Sequence, residues 1–460
     1  MDEQAGRRTA LIAITIISFA TPFMISGFNI ALPMIGREFA VSAITLSWMA
    51  TAYSLAIGVL MIPFGKLADI HGRKRIFLLG TGGYAVASLL CALAPTPVML
   101  IAGRALQGAT AAMIFATGLA ILTSVYPSAE RGKVLGINVA AVYVGLSAGP
   151  FLGGVMVEAL GWRSVFWATV PLALLTLAFT WWRVEGEWAG SPEDTFDLKG
   201  SAIYSTAVIA LMVGFAQLPT LRGAGIIAVG AIAGAGFVAH ELRTASPVFD
   251  LRLFRGNRVF VFSSLAALID YGSTASVTFL LSLYLQYIKV LSPREAGMVL
   301  LVQPLMQAIF SPLAGRLSDR IAPRYVATVG ISVTLCGLIM LTFLGPDTGL
   351  GYVVACLLVL GFGFASFSSP NTSAIMGAVE ARHYGVASGM VGTMRTFGQM
   401  LSMGLAMILF AVYIGPVEIV PANYPQFLSS VRTAFIVSSM LCSIGIVASL
   451  ARGTPEQSGA

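Results

Sequence analysis

The chain is 460 residues long, 57% hydrophobic and 10% charged, with a formal net charge of +7. Soluble globular domains carry about 25% charged residues, so this composition excludes a water-soluble enzyme and a disordered chain. The Lys and Arg residues form no long cluster with interleaved aromatics, which argues against a phosphate-binding, nucleic-acid surface. A membrane β-barrel is excluded as well: Thr9 to Gly36 runs for 28 residues without a charge, where barrel strands alternate over about ten. What remains is an all-α polytopic membrane protein.

Residues 1–8 are short and mixed in charge, and the apolar run behind them is long enough to span. It reads as an uncleaved first helix rather than a secretory signal. Further along, stretches of about 20 apolar residues predict spans at 10–32, 44–64, 76–95, 98–122, 134–157 and 164–182. Two shorter stretches follow at 200–218 and 223–240. Six more lie at 259–285, 295–314, 325–345, 350–370, 385–413 and 432–451, giving fourteen. With both termini placed in the cytoplasm, nineteen of the 27 Lys and Arg residues fall inside, six outside and two, Arg104 and Arg395, within spans. Cytoplasmic loops retain basic residues, so the bias supports this topology. Twelve spans with a cytoplasmic insert keep the same parity and stand as the alternative.

The loop after the second span reads Gly-Lys-Leu-Ala-Asp-Ile-His-Gly-Arg-Lys-Arg from Gly65 to Arg75. The loop after the tenth reads Gly-Arg-Leu-Ser-Asp-Arg-Ile-Ala-Pro-Arg from Gly315 to Arg324. Each follows the second helix of a group of six. Such an internal repeat predicts two equivalent bundles, as in transporters whose halves rock around a central site. The expected division is a six-helix bundle over 1–182, linkers and an extra helix pair over 183–258, and a second six-helix bundle over 259–460.

These segments resemble the major facilitator superfamily, specifically its fourteen-spanner drug:proton antiporter branch, over nearly the whole chain. Gly65, Leu67, Asp69, Gly72, Arg73 and Lys74 match the family's loop signature. Arg104, Gln107 and Gly108 resemble its span-4 signature, and Gly145, Gly149, Pro150, Gly153 and Gly154 its antiporter signature in span 5. Trp48 to Tyr53, Gly161-Trp162-Arg163, and Ser388-Gly389 with Arg395 are further matches. The resemblance implies the major facilitator fold, with an inserted helix pair, and export coupled to protons by alternating access. It implies a gating role for the first loop around Gly65, Asp69, Gly72 and Arg73, which the repeat extends to Asp319 and Arg320. Many relatives carry an acid five residues before the Asn of an N-x-A-L-P segment. Here Asn29 to Pro33 is present but the acid position is Met24, so that carboxylate has no counterpart in span 1.

The residues also speak for themselves. Gly65 and Gly72 permit a tight turn, and Asp69 can bond helix N-terminal amides or pair with arginines across the seam between the halves. Gly145, Gly149 and Gly153 recur every four residues and line one helical face, where a partner backbone can approach. Pro150 removes a helical hydrogen bond and favours a kink. Asn138 lies on the same stripe. A charge at mid-membrane costs about 2.5–3.5 kcal/mol, so Arg104 must face inward with a partner. It serves either in proton coupling and substrate anchoring or as a structural bridge. Asp270 is the one acid near the middle of a span. It reads either as the proton-exchanging group or as half of a fixed salt bridge with Arg395.

Polar groups on apolar walls make a substrate cavity. The candidates are Asn29, Trp48, Tyr53, Phe115, Asn138, Tyr143, Tyr271, Tyr284, Gln303, Gln307 and Asn371, with Gln286, Phe364 and Phe367 beside them. Aromatic and amide groups with few fixed charges suit an amphipathic or weakly cationic compound. The linker from Arg183 to Lys199 reads as a solvated connector. Cys91, Cys336, Cys356 and Cys442 lie in apolar stretches without metal spacing. There is no nucleotide-binding loop and no catalytic spacing, so the expectation is a non-enzymatic, cofactor-free monomer of the cell membrane, driven by an ion gradient. Its partners would be protons, a small organic substrate and the lipid bilayer. A proton-independent facilitator or importer of a metabolite is the first alternative; a membrane sensor or scaffold is the second.

Overall fold

The computed structural model describes residues 3–184, 186–189, 193, 195–218, 220–244, 247, 257–318, 320–379 and 384–452. Among them there are helices and short connections but no strand. In chain order the helices are α1 (Glu3–Phe39), α2 (Ala43–His71), α3 (Arg73–Ala92), α4 (Pro97–Val125), α5 (Ser128–Leu160) and α6 (Arg163–Arg183). The added pair follows as α7 (Leu198–Ala216) and α8 (Leu221–Glu241). Then come α9 (Arg258–Thr274), α10 (Val277–Leu283), α11 (Pro293–Leu300), α12 (Val302–Ser318), α13 (Pro323–Leu341), α14 (Leu350–Gly377), α15 (Tyr384–Tyr413) and α16 (Tyr424–Leu450). Fourteen stretches among the described residues are long and apolar enough to cross a membrane, α7 and α8 included.

Two of those stretches are not single helices. The ninth is interrupted between α9 and α10, where the Ser276 amide donates to the Ser402 hydroxyl at 3.0 Å instead of continuing the helical ladder. It ends in a π turn over Tyr284–Ile288. The tenth breaks at Leu301, between α11 and α12. Pro304 stands three residues later and lacks the amide that Leu300 would need, which accounts for the break. Helices α1, α2 and α5 instead run unbroken through Pro22 and Pro33, Pro63, and Pro150.

One compact unit gathers Met1–Val41, Trp48–Val213 and Gly225–Phe249. Its α1–α5 seam is made of small residues: Gly145 lies on the Phe19 backbone, Gly149 on Phe23 and Ser26, and Gly153 on Gly27. Gly80 and Gly83 of α3 press on Thr110 of α4, and Gly108 of α4 on Tyr53 of α2. In lipid, close backbone approach replaces the hydrophobic drive for helix association. Most of the added pair groups with this unit, and Tyr204 of α7 donates its hydroxyl to the Gly58 carbonyl of α2 at 2.5 Å.

The second unit gathers Ser42–Ser47, Gly214–Ala224 and Asp250–Ala460. Its internal packing repeats that of the first. Tyr53 stands twelve residues before Gly65, and Gln303 twelve before Gly315. Tyr53 meets Gly108, while Gln303 meets Gly361. Gly80 and Gly330, each fifteen residues beyond the loop glycine, press on α4 and α14 respectively. On α15, Gly398 packs against the backbone of Leu268 and Gly272 and the Cβ of Tyr271, mirroring the α5–α1 seam.

Candidate functional site

The buried arginine of α4 in the first unit, Arg104, is 1% exposed. Its guanidinium is layered between Phe28 and Tyr53, 4.3 and 4.4 Å from the ring centroids. It donates to Gln107 Oε1 at 2.6 Å and to the Met49 carbonyl at 3.3 Å. Gln107 passes the chain on to Ser88 at 2.8 Å. The i, i+3 spacing of Arg104 and Gln107 on α4 is what brings this pair together. These partners are a ring sandwich, an amide and a carbonyl, which fit the structural bridge, one of the two roles expected of Arg104.

On α5 the glycines of the span-5 signature face α1, as their spacing predicts, and Pro150 and Gly154 are buried beside them. Asn138, on the same helix, is 3% exposed.

The segment expected as a loop, Gly65 to Arg75, is helical on both sides of Gly72: in the last turns of α2, Asp69 Oδ1 accepts two bonds from Arg73 at the start of α3, at 2.8 and 2.9 Å, and Arg73 also donates to Ser124 at 3.1 Å. In these bonds Asp69 takes the arginine of its own segment and not a helix N-terminal amide. The amides at the start of α3 go to Glu187, a residue the sequence reading left in a solvated connector. Nothing in the local sequence marks Glu187, because its partners lie more than a hundred positions away. Asp319 lies outside the described residues, and Arg320 is exposed.

Within the second unit, Asp270 on α9 is 0% exposed, and neither carboxylate oxygen has a hydrogen-bond partner among the described residues. The bridge to Arg395 is absent in this conformation. Arg395 instead stands over Tyr271, 5.8 Å from the ring centroid, and Tyr271 packs edge-on against Phe364. Asp270 shares a helical stripe with Ser263, Ala267 and Thr274, all buried. Asn371 of α14 reaches that stripe and donates to the Ser263 carbonyl at 3.1 Å. The hydroxyls of Ser263 and Ser264 and Oδ1 of Asn371 are, like Asp270, buried without partners among the described residues.

The other cavity candidates divide by exposure. Tyr53, Tyr284, Gln286, Gln303, Gln307, Phe364 and Phe367 are buried, whereas Asn29, Trp48, Phe115, Tyr143 and Tyr271 are half-buried. Tyr284 is committed elsewhere: its hydroxyl donates to the Gly345 carbonyl at 2.7 Å, tying the π turn to the end of α13. Phe115 packs against the buried cluster around Tyr53, Tyr84 and Ile114. Among residues the sequence did not single out, Glu38 binds Trp162 Nε1 at 2.6 Å and Arg163 at 2.8 Å, fixing the turn into α6.

A family model described as the Major Facilitator Superfamily matches residues 14–269 and 263–460. The chain belongs to the major facilitator superfamily. This facilitator is 29% identical over 446 residues to a riboflavin transporter, RibZ, of Clostridioides difficile, covering 95% of each chain. It is 31% identical over 392 residues to the multidrug resistance protein Stp of Mycobacterium tuberculosis, covering 84% of this chain and 72% of that one. Among solved structures it shares the fold of a peptide transporter, POT, in complex with alafosfalin. That match has a TM-score of 0.72 at 14% identity and covers 98% of this chain and 99% of the other. The facilitator is therefore a multi-pass membrane transporter by family.

Proposed function

We propose that this facilitator exports small organic compounds, amphipathic or cationic, in exchange for protons. The observation that carries the reading is Asp270, fully buried near the middle of the ninth span with both oxygens unpartnered among the described residues. An ionised carboxylate left so in a membrane costs about 2.5–3.5 kcal/mol on insertion scales, which favours the neutral acid. A buried, unpartnered acid that meets water when its surroundings open can take up and release a proton during the cycle. The absence of an acid at Met24 leaves α9, the first helix of the second group of six, to supply it. In this reading both termini face the cytoplasm, the protein works as a monomer in the cell membrane, and the turn between α2 and α3 gates the cycle. The resemblance to multidrug resistance proteins favours drug-like substrates.

The match to a riboflavin transporter over 95% of both chains favours a second reading, a transporter dedicated to one flat aromatic metabolite. The two are separated in inside-out vesicles carrying an imposed pH gradient, challenged with cationic dyes, antibiotics and flavins. Gradient-driven accumulation of several unrelated compounds supports the first reading. Accumulation of a flavin alone supports the second, and movement indifferent to the gradient contradicts proton exchange in both.

A further inference from the structure

The turn between α2 and α3 is held by a segment that arrives from the far side of α6. Glu187 places Oε1 at 2.7 Å from the Lys74 amide and Oε2 at 3.1 Å from the Arg75 amide. These are orphan N–H groups of the first helical turn, and a carboxylate there also meets the positive end of the helix. On either side the backbone joins in: Lys74 Nζ donates to the Val184 carbonyl at 2.5 Å, and the Arg73 amide to the Trp188 carbonyl at 2.9 Å. Val184 is buried, and Trp188 packs against the cluster that contains Phe77 and Tyr84.

Gly72 shows how closely the strap sits. Its φ is +107°, a backbone conformation that favours glycine, and a Cβ there would strike the Glu187 side chain. The internal repeat supplies a comparison. Helix α13 occupies the place of α3 in the second unit; it starts at Pro323, and among the described residues its Tyr325 amide donates to the Ala322 carbonyl at 3.0 Å. The bonds of the clasp are exposed to solvent, where they exchange readily with water. The clasp sits on the turn that holds Asp69 and Arg73, and its strap continues into the added pair α7 and α8.

We propose that Glu187 is a positioning residue for the gate: docked, it fixes the α2–α3 turn in the arrangement seen here, and undocked, it lets that turn move. The docking stands on geometry, and its part in gating rests on the transport reading above. The test uses the full-length protein in lipid nanodiscs, with Glu187→Ala and Glu187→Gln. Amide hydrogen exchange is followed at Lys74 and Arg75 and, as a measure of intact fold, along the α1–α5 seam. Glu187→Ala should speed exchange at Lys74 and Arg75 about tenfold and leave the seam unchanged. Glu187→Gln, which keeps one accepting oxygen, should protect one amide and release the other. Unchanged exchange in Glu187→Ala overturns the clasp. In vesicles the same variant should alter the turnover of substrate counterflow with KM unchanged. Faster exchange with unaltered turnover reduces the strap to a structural tie and overturns the gating role. Failure of the unsubstituted protein to move any compound overturns the transport reading and the gating role with it, while the exchange data still decide the clasp.

Discussion

Gly153 on α5 stands against Gly27 on α1 so closely that a Cβ on Gly153 would lie 2.7 Å from the Gly27 Cα. Because both neighbours are backbone, no side chain can swing aside. Gly153→Ala should therefore push the two helices apart and destabilise the protein by about 1–3 kcal/mol, the range for overpacking. Gly225→Ala on α8, where a Cβ meets nothing within 4 Å, is the control and should be neutral or slightly stabilising. Thermal unfolding in a mild detergent compares them.

Arg104 is held by two rings and two hydrogen bonds, and the planarity of the guanidinium is what lets it lie between Phe28 and Tyr53. Lysine keeps the charge but cannot lie flat between the rings or match the spacing of the two guanidinium nitrogens that make the bonds. Arg104→Lys should cost about 1–3 kcal/mol of stability, read from the same unfolding curves. An unfolding curve like the parent's would show that the ring sandwich and the two hydrogen bonds add no stability.

Arg452, just beyond α16, is 1% exposed, and none of its three guanidinium nitrogens has a hydrogen-bond partner among the described residues. Its contact is the Phe367 ring, 6.0 Å away. Burial pulls the group down to about 10, which still leaves it charged at neutral pH. An unpaired buried charge opposes folding, so Arg452→Met should raise the unfolding temperature by a few degrees. The gain should be full at pH 7 and shrink above about 10, where the native arginine sheds its proton before the unfolded one does. A drop in stability at pH 7 would mean that Arg452 has a partner in the working protein.

Much of the architecture was legible because lipid makes sequence rules strict. Apolar length marked the fourteen stretches, and the four-residue recurrence of Gly145, Gly149 and Gly153 marked a face for close backbone approach; that the partner is α1 is seen only in the fold. Arg104 and Gln107 were readable as a pair, since i and i+3 on one helix must meet. The rest depended on partners distant in the chain. Asp69 turned to Arg73, four residues on, once Glu187 had taken the α3 amides. The break after Thr274 follows from Ser402, on another helix, and Tyr284 is bound by the Gly345 carbonyl beyond α13. Periodicity cannot report which of several polar groups captures an orphan amide.

The most direct test of proton exchange is Asp270→Asn, reconstituted in liposomes with a substrate found in the vesicle panel. Asparagine keeps the shape and removes the exchangeable proton. The account predicts that substrate movement driven by a pH gradient is abolished, while counterflow of labelled against unlabelled substrate without a gradient persists at a comparable rate. Gradient-driven transport at the parent level in Asp270→Asn would contradict it.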